Sequence, residues 1–382
     1  MPKFPKFEYS NRDVSRVGEF LRGELLWTER TEPEIREAFQ IANSWRQAHA
    51  YPMHSLRRQL IWYMGHLGIE GVSAARLKRM PAIRRKLRRI GLGLNQLQDI
   101  GGCRAILPQI SDVDALVAAL RDRSRHELRD EDDYITNPKR DGYRSYHLMF
   151  NYRGRGAAKV FDDRRIEIQI RTRLQHSWAT AVEAVGLFRS EDLKGGKGNP
   201  DWLRLFKLMS AEFALAEGCP EPPDVADREL RVSEIQSIND RLNAAHYLNN
   251  LSSAVRWTDI AIDPNFTPNY YVIAYDNANH QVSVRPYFGP RSAVAAYNNA
   301  EAIDTHDATT IVLVEAQKVE AMKEAYPNYF GDVQLFRKQM NSIVKGRAAQ
   351  EYVVKPQETA VPRPRENPDY MWLKRRRRIR WQ

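Results

Sequence analysis

The sequence predicts an α+β protein in two parts: a larger N-terminal domain that carries the chemistry and a second, smaller α+β C-terminal domain. Three observations predict it. Helical periodicity dominates residues 12–66, and strand-like and helical segments alternate from residue 99 to about 215. The stretch GCPEPPDVAD (218–227), with three prolines, then separates this alternation from a further set of strands and helices.

The 382 residues carry 59 Lys and Arg against 48 Asp and Glu, a net charge of +11. Such a surplus suits a polyanionic partner, or simply a solvated basic surface. Two cysteines, Cys103 and Cys219, cannot build a disulfide framework or a Cys-rich zinc site. They fit a cytoplasmic location. The N-terminal MPKFPKFEYSNRD lacks the apolar centre of a signal peptide, and no run reaches the ~18 apolar residues of a membrane span.

In order along the chain, EPEIREAFQIANSWRQAH reads as a helix through Ile35, Phe39, Ala42 and Trp45. Residues 71–98 hold eight Lys and Arg and no acid, with Met80, Ile83, Leu87 and Ile90 on one helical face and Pro81 in the first turn. CRAILP reads as a strand, and SDVDALVAALRDR as a helix capped by Ser111 or Asp112. YRSYHLMFNY and RRIEIQIRT are strands, and RLQHSWATAVEAVGLF and DWLRLFKLMSAEFALAEG are helices. KGGKGNP between the two helices lacks the ending and spacing of a P-loop. Past the linker come a helical stretch to about 250, a hairpin turning at Asn277–Asn279, a helix over 290–302, the strand TTIVLVEA and a helix from Gln317 to about Ala325. A last helix ends at Gly346, and a basic tail closes the chain with LKRRRRIRWQ.

Four segments carry candidate chemistry. In RRIEIQIRT, Ile166, Ile168 and Ile170 face one side, and Glu167, Gln169 and Arg171 the other. Three polar residues on a strand face mean either solvent or a cleft, where Glu167 would serve as metal ligand or general base. Asp99 stands before a strand, with two glycines and Arg104 after it. RLKRMPAIRRKLRR (76–89) offers cations for a polyphosphate or forms an ordinary charged surface helix. NPKRDGYRSYH (137–147) is a turn bearing Lys139, Arg140, Gly142, Arg144 and His147, with Tyr143 placed to stack on a base.

In this order the segments resemble the synthetase domain of the RelA/SpoT family. The matched pattern is Arg76/Lys78, Asp99/Gly102/Arg104, Asn137 to His147, Glu167 to Thr172, and Gln175/Trp178, over roughly residues 20–215. The resemblance implies a mixed β-sheet, nucleotidyltransferase-like, flanked by helices. It also implies a reaction that moves the β,γ-pyrophosphate of ATP onto a ribose hydroxyl. Arg76 and Lys78 would clamp adenine, and Lys86, Arg104, Gln169 and Arg171 would complete the ATP site. Asp99 and Glu167 would hold Mg²⁺, with Glu167 also taking the proton of the attacking hydroxyl. Lys139, Arg140, Gly142, Tyr143, Arg144 and His147 would form the acceptor side. Ala82 departs from the Ser often found there in the family, which puts one ATP contact in doubt. The family's hydrolase needs a metal-binding His-Asp signature; His306-Asp307 lies far downstream in a loop-like stretch and reads as surface, so no hydrolase is expected.

The order of the two parts is similar to the CapRel group of fused toxin–antitoxin small alarmone synthetases. That likeness implies a toxin domain at 1–217, a linker and connecting helix at 218–250, an antitoxin or sensor domain at 251–348 and a tail at 349–382. Tyr326 and Tyr329 of EAYPNYFGD would fold over the ATP site as an autoinhibitory pair; read alone, they are half-buried aromatics of a turn. The acceptor implied is the 3′ CCA end of tRNA, the trigger a phage capsid protein, and the state monomeric. Arg153, Arg155, Lys159, Arg164, Arg165 and the basic stretch at 71–98 would form the tRNA track. The alternatives are (p)ppGpp synthesis from GDP or GTP, and a catalytically dead RNA-binding sensor.

Overall fold

Three helices open the chain: α1 (Asn11–Arg22), α2 (Glu32–Gln47) and α3 (Ala50–His66). α1 starts at a capping box, in which Ser10 and Asp13 satisfy each other's backbone amides. Strand β1 (Val72–Leu77), which the basic composition of 71–98 hides, leads into α4 (Met80–Ile90). Then follow β2 (Gly101–Leu107), α5 (Ile110–Arg123), β3 (Glu127–Asp133), β4 (Tyr146–Asn151), β5 (Arg165–Thr172), α6 (Arg173–Arg189) and α7 (Pro200–Ala216). Beyond the linker lie α8 (Arg228–Leu242), α9 (Ala244–Ala254), β6 (Arg256–Trp257), β7 (Tyr270–Asp276), β8 (Gln281–Tyr287), α10 (Pro290–Ile303), β9 (Thr309–Glu315) and α11 (Gln334–Val344). This computed structural model describes residues 4–350 apart from 27, 255, 258–267, 277, 280, 304–308, 317–321, 324 and 327–332, all within one compact unit, Met1–Tyr352.

Among the described residues the strands make a single mixed sheet in the order β3-β4-β5-β2-β1-β9-β7-β8-β6. β2 and β5 run parallel, and β1, β4 and β9 join antiparallel. The C-terminal strands therefore extend the sheet of the N-terminal part: β9 pairs with β1 at Ala75↔Glu315 and Arg76↔Val314. One face of the N-terminal strands is dry. Ile166, Ile168, Ile170, Leu148 and Phe150 pack there against Met53, Leu56 and Leu60 of α3 and Val113, Leu116 and Leu120 of α5. Each such aliphatic side chain, fully buried, contributes about 1.5–3 kcal/mol. α6 and α7 pack with α8, α9 and α11 around Trp202, Phe206, Phe213 and Phe336. The sheet faces of β7 and β9 divide between α10, which packs on Tyr270, Val272, Ile311 and Leu313, and a cluster that includes Met322, Ala325 and Tyr326.

Two buried polar clusters tie the parts together. Arg46 of α2, 1% exposed, donates to the Tyr297 hydroxyl at 2.9 Å, to Asn298 at 2.9 Å and to Glu301 at 2.9 Å, all on α10. Glu315 of β9 pairs with Arg57 at 3.0 Å and with His54 at 2.7 Å, both on α3.

Three local expectations need correction. α5 begins at Ile110 after Gln109, which makes no side-chain cap, so Ser111 and Asp112 sit inside the first turn; there Asp112 still meets the positive end of the helix dipole. On α4, Met80, Ile83 and Leu87 are buried but Ile90 is 37% exposed, because the helix ends there and Gly91 turns left-handed at φ 68°. Arg84 and Arg88 do not project freely from α4. Their guanidiniums donate to the carbonyls of Leu21, Arg22 and Gly23, the orphaned end of α1.

Candidate active site on the polar sheet face

Strand alternation and register assemble the site. With the three isoleucines of β5 turned into the core, Glu167, Gln169 and Arg171 lie on the opposite face. Parallel pairing sets Gly102 beside Glu167 and Arg104 beside Gln169. Antiparallel pairing adds Arg76 beside Gly102 from β1, and His147 beside Gln169 from β4. One face of four adjacent strands thus carries Arg76, Arg104, Glu167, Gln169 and His147, gathered from residues ninety apart in sequence. Of the two glycines after Asp99, Gly101 is the one packed tightly: a Cβ there would meet Ile166 Cδ1 at 2.8 Å and His49 Cβ at 3.3 Å.

Asp99 sits just before β2, between two ammonium groups: Lys78 Nζ lies 2.6 Å from Oδ2 and Lys86 Nζ 2.9 Å from Oδ1. Burial raises its pKa, but the two lysines outweigh that and hold it down at about 2. Glu167 is partly buried. Its Oε1 lies 3.0 Å from His147 Nδ1, and its Oε2 accepts from Gln169 Nε2 at 2.8 Å. Burial pushes this carboxyl up, the His147 hydrogen bond and charge pull it down further, and the negative charge of Asp99 is felt there. Two hard oxygen donors, Glu167 on β5 and Asp99 just before its neighbour β2, are of the kind Mg²⁺ takes, as it binds one or two carboxylates and fills its shell with water and substrate phosphate. Among the described residues no group of three or more His, Cys, Asp or Glu forms a cage.

On the side expected to take the acceptor, His147 links two groups. Its Nε2 lies 2.8 Å from the Tyr143 hydroxyl, so Glu167, His147 and Tyr143 form one hydrogen-bonded chain. Burial disfavours the imidazolium, but Tyr143 and Glu167 overcome it and raise His147 to about 9. The Tyr143 ring also stands edge-on to Tyr134 and Trp178. Lys139 and Arg140 are exposed, and the Lys139 ammonium lies 4.0 Å from the centre of the Tyr134 ring and 5.4 Å from that of Tyr143. Two residues of the loop face inward instead. Gly142, at φ 95°, packs against Ser210, Lys207 and Trp178. Arg144 is 2% exposed and ion-paired to Glu217, so its guanidinium points into the protein and not at an acceptor.

Two of the residues expected to hold ATP, Arg76 and Arg104, face a tyrosine. Tyr326, 2% exposed, lies with its ring centre 5.1 Å from the Arg104 guanidinium and 5.5 Å from that of Arg76. Arg104 Nη1 also donates to the Ala325 carbonyl at 2.8 Å. Arg171 lies behind, buried; burial and the Arg104 charge lower its pKa to about 10, which leaves it cationic at neutral pH. Tyr329 and the His306-Asp307 pair lie outside the described residues.

Sequence reasoning missed Glu183, Tyr134 and Glu217. Glu183 of α6 pairs with Lys194 at 2.8 Å, and Lys194, Arg76 and Arg104 lower its carboxyl against the cost of burial. Nothing in the helical period marks it apart from any other charged residue of α6. The basic track also shrinks. Besides Arg84 and Arg88, Arg153 pairs with Glu127 and Asp163, Arg164 lies over Trp45 at 4.3 Å, and Arg165 donates to the Gln96 carbonyl. Arg85, Arg89, Arg155 and Lys159 remain exposed.

Residues 75–191 match the family described as "Region found in RelA / SpoT proteins". Residues 75–191 are therefore a RelA/SpoT region. The GTP pyrophosphokinase of Escherichia coli (strain K12) is 31% identical over 165 residues, which cover 40% of this chain and 21% of that protein. The GTP pyrophosphokinase YjbM of Bacillus subtilis (strain 168) is 35% identical over 120 residues, 30% of this chain and 55% of that one. The chain thus spans between about a fifth and just over half of the length of these relatives. Among solved structures, small alarmone synthetase 1 from Bacillus subtilis bound to its product pppGpp aligns over 51% of this chain and 94% of its own, at 22% identity and a TM-score of 0.37. The RelA/SpoT region holds Arg76, Lys78, Lys86, Asp99, Arg104, the 137–147 loop, Glu167 to Arg171 and Glu183; Tyr326 lies far beyond its end. No helix among the described residues is long and apolar enough to cross a membrane.

Proposed function

We propose that this protein is an ATP-dependent pyrophosphotransferase toxin that modifies the 3′ CCA end of tRNA and is held off by its own C-terminal domain. The observation that carries the restraint is Tyr326 lodged against Arg76 and Arg104. The ring lies against Arg76, which the resemblance gives to adenine, and against Arg104, which it gives to the phosphates, and its tether in the same chain makes even modest contacts effective. Arg76, Lys78, Lys86, Arg104, Gln169 and Arg171 would bind the donor. Lys78 would leave Asp99 for the adenine and Lys86 for the phosphates, freeing the carboxylate. Asp99 and Glu167 would hold Mg²⁺, which when bound neutralises the charge that develops in phosphoryl transfer. Glu167 would accept the proton of the attacking hydroxyl, within reach of the His147–Tyr143 chain. A ligand that binds the open state better than the closed one releases the block, and a phage capsid protein acting on the C-terminal domain is the proposed trigger. Anti-phage defence is the proposed role, with a cytoplasmic, monomeric protein.

The names of the relatives favour a second reading, in which GDP or GTP accepts the pyrophosphate to make (p)ppGpp. ATP labelled at the β-phosphate, offered with tRNA and GTP side by side, separates the two. Label on tRNA supports the first reading, and label in the guanine-nucleotide fraction alone overturns it. No magnesium-dependent transfer to either acceptor, even after Tyr326→Ala, would leave a dead RNA-binding sensor.

A further inference from the structure

The acceptor-side loop has a mount that none of its own residues provides. Glu217 ends α7, and its side chain is fully buried. Three donors from two different places converge on it. Arg144 of the loop donates Nη2 to Oε2 at 2.5 Å, Gln175 of α6 donates Nε2 to the same oxygen at 3.2 Å, and the Thr172 hydroxyl donates to Oε1. Thr172 and Gln175 also form the capping box that starts α6 directly after β5. One carboxylate therefore fastens the residue next to Tyr143 to the strand that bears Glu167. α7 holds the loop at a second point, where the Ser210 hydroxyl donates to the Gly142 carbonyl at 2.6 Å. Trp178 of α6 closes the support: its indole N–H donates to the Phe206 carbonyl of α7 at 2.6 Å, and its ring meets Tyr143 edge-on at 6.3 Å. The paired Gln175 and Trp178 noticed in the sequence thus act as one fitting.

We propose that Glu217 is the positioning residue of the acceptor site: through Arg144 and the β5–α6 junction it sets where Tyr143 and His147 stand relative to Glu167. The proposal rests on reading residues 137–147 as the acceptor side. The charge matters as well as the hydrogen bonds. Arg144 is a buried guanidinium whose counter-ion is Glu217, and a neutral amide in its place leaves that cation uncompensated next to the loop. Lys78 and Lys86 bond to Asp99, and Arg104 to the Ala325 carbonyl, away from this set of bonds.

The test uses the full chain carrying Tyr326→Ala, with Glu217→Gln and the milder Arg144→Lys added singly. Two measurements are made: KM for each substrate with β-labelled ATP, and amide hydrogen exchange across 139–147. Glu217→Gln should raise the acceptor KM about ten-fold or more and Arg144→Lys about three-fold, the ATP KM moving less than about two-fold. The Gly142 and Lys139 amides, bonded within the turn at 2.9 and 3.2 Å, should exchange faster in both, with β2 unchanged. Acceptor and ATP KM rising together, or unaltered exchange in the loop, overturns the proposal. If Glu217→Gln does not fold, Arg144→Lys decides by the same criteria. If the parent labels neither tRNA nor GTP, the proposed activity fails, while exchange in the loop still decides whether Glu217 holds it.

Discussion

Arg104 grips the C-terminal part twice: its guanidinium lies 5.1 Å from the centre of the Tyr326 ring, and its Nη1 donates 2.8 Å to the Ala325 carbonyl. Arg76 faces the same ring at 5.5 Å. Both arginines stand on the polar sheet face beside Gly102 and Gln169, so Tyr326 sits against two of the cations proposed to bind the donor nucleotide.

Replacing Tyr326 with Ala removes both ring contacts, worth roughly 1–2 kcal/mol together. ATP affinity and transfer rate of the full chain should rise about ten-fold. Tyr326→Phe keeps the ring and should stay restrained. Equal rates for wild type, Phe and Ala, measured with labelled ATP, would remove this tyrosine from the restraint.

Glu167→Gln should lower transfer at least about 100-fold. It should also move a proton. His147 is raised to about 9 in the fold, above its unfolded value of ~6.5, so its stabilising contribution is complete below ~6.5 and is lost as pH rises through about 9. Without the Glu167 carboxylate, the histidine should titrate at lower pH in imidazole NMR, and the loss of stability on the alkaline side should begin earlier. An unmoved His147 titration would mean that the 3.0 Å pair is not formed in solution.

Arg46→Met leaves Glu301, Asn298 and the Tyr297 hydroxyl without their buried donor. Denaturant unfolding should show a loss of about 3–5 kcal/mol. A loss below about 1 kcal/mol would mean that α10 is not held to α2 by this cluster.

Gly142→Ala should strain the acceptor-side loop. The residue sits at φ 95°, and a Cβ would meet Ser210 Cβ at 3.0 Å and Lys207 Cα at 3.2 Å. The backbone conformation alone costs about 1–3 kcal/mol. A lower melting temperature with a higher acceptor KM is the expected pair of results; an unchanged protein would show that the loop rearranges freely.

Much of this site was legible because strand alternation is a strict rule. Once RRIEIQIRT is a strand, Glu167, Gln169 and Arg171 must share a face, whereas only the β2–β5 pairing brings the strand after Asp99 beside it. Local pattern could not say which cations are already spent. Arg84, Arg88, Arg144 and Arg164 read as free charges in the sequence, yet each has its partner far along the chain: the end of α1, Glu217, or the Trp45 ring. β1 was hidden because its VSAARL is short and ordinary, and it becomes a strand by lying between β2 and β9. Glu217 gave no signal, since an acid at a helix end before prolines looks like solvated punctuation.

The pairing of β9 with β1 bears on how the protein can be handled. A fragment that stops at the linker would bare the outer edge of β1, which recruits strands from other chains. It would also leave Arg57 without Glu315, and Arg46 without its partners on α10, inside what had been dry protein. Such a fragment is expected to aggregate before it can show an unrestrained rate. Truncation would remove these contacts together with those of Tyr326, so point changes at Tyr326 test the proposed restraint without baring the sheet edge.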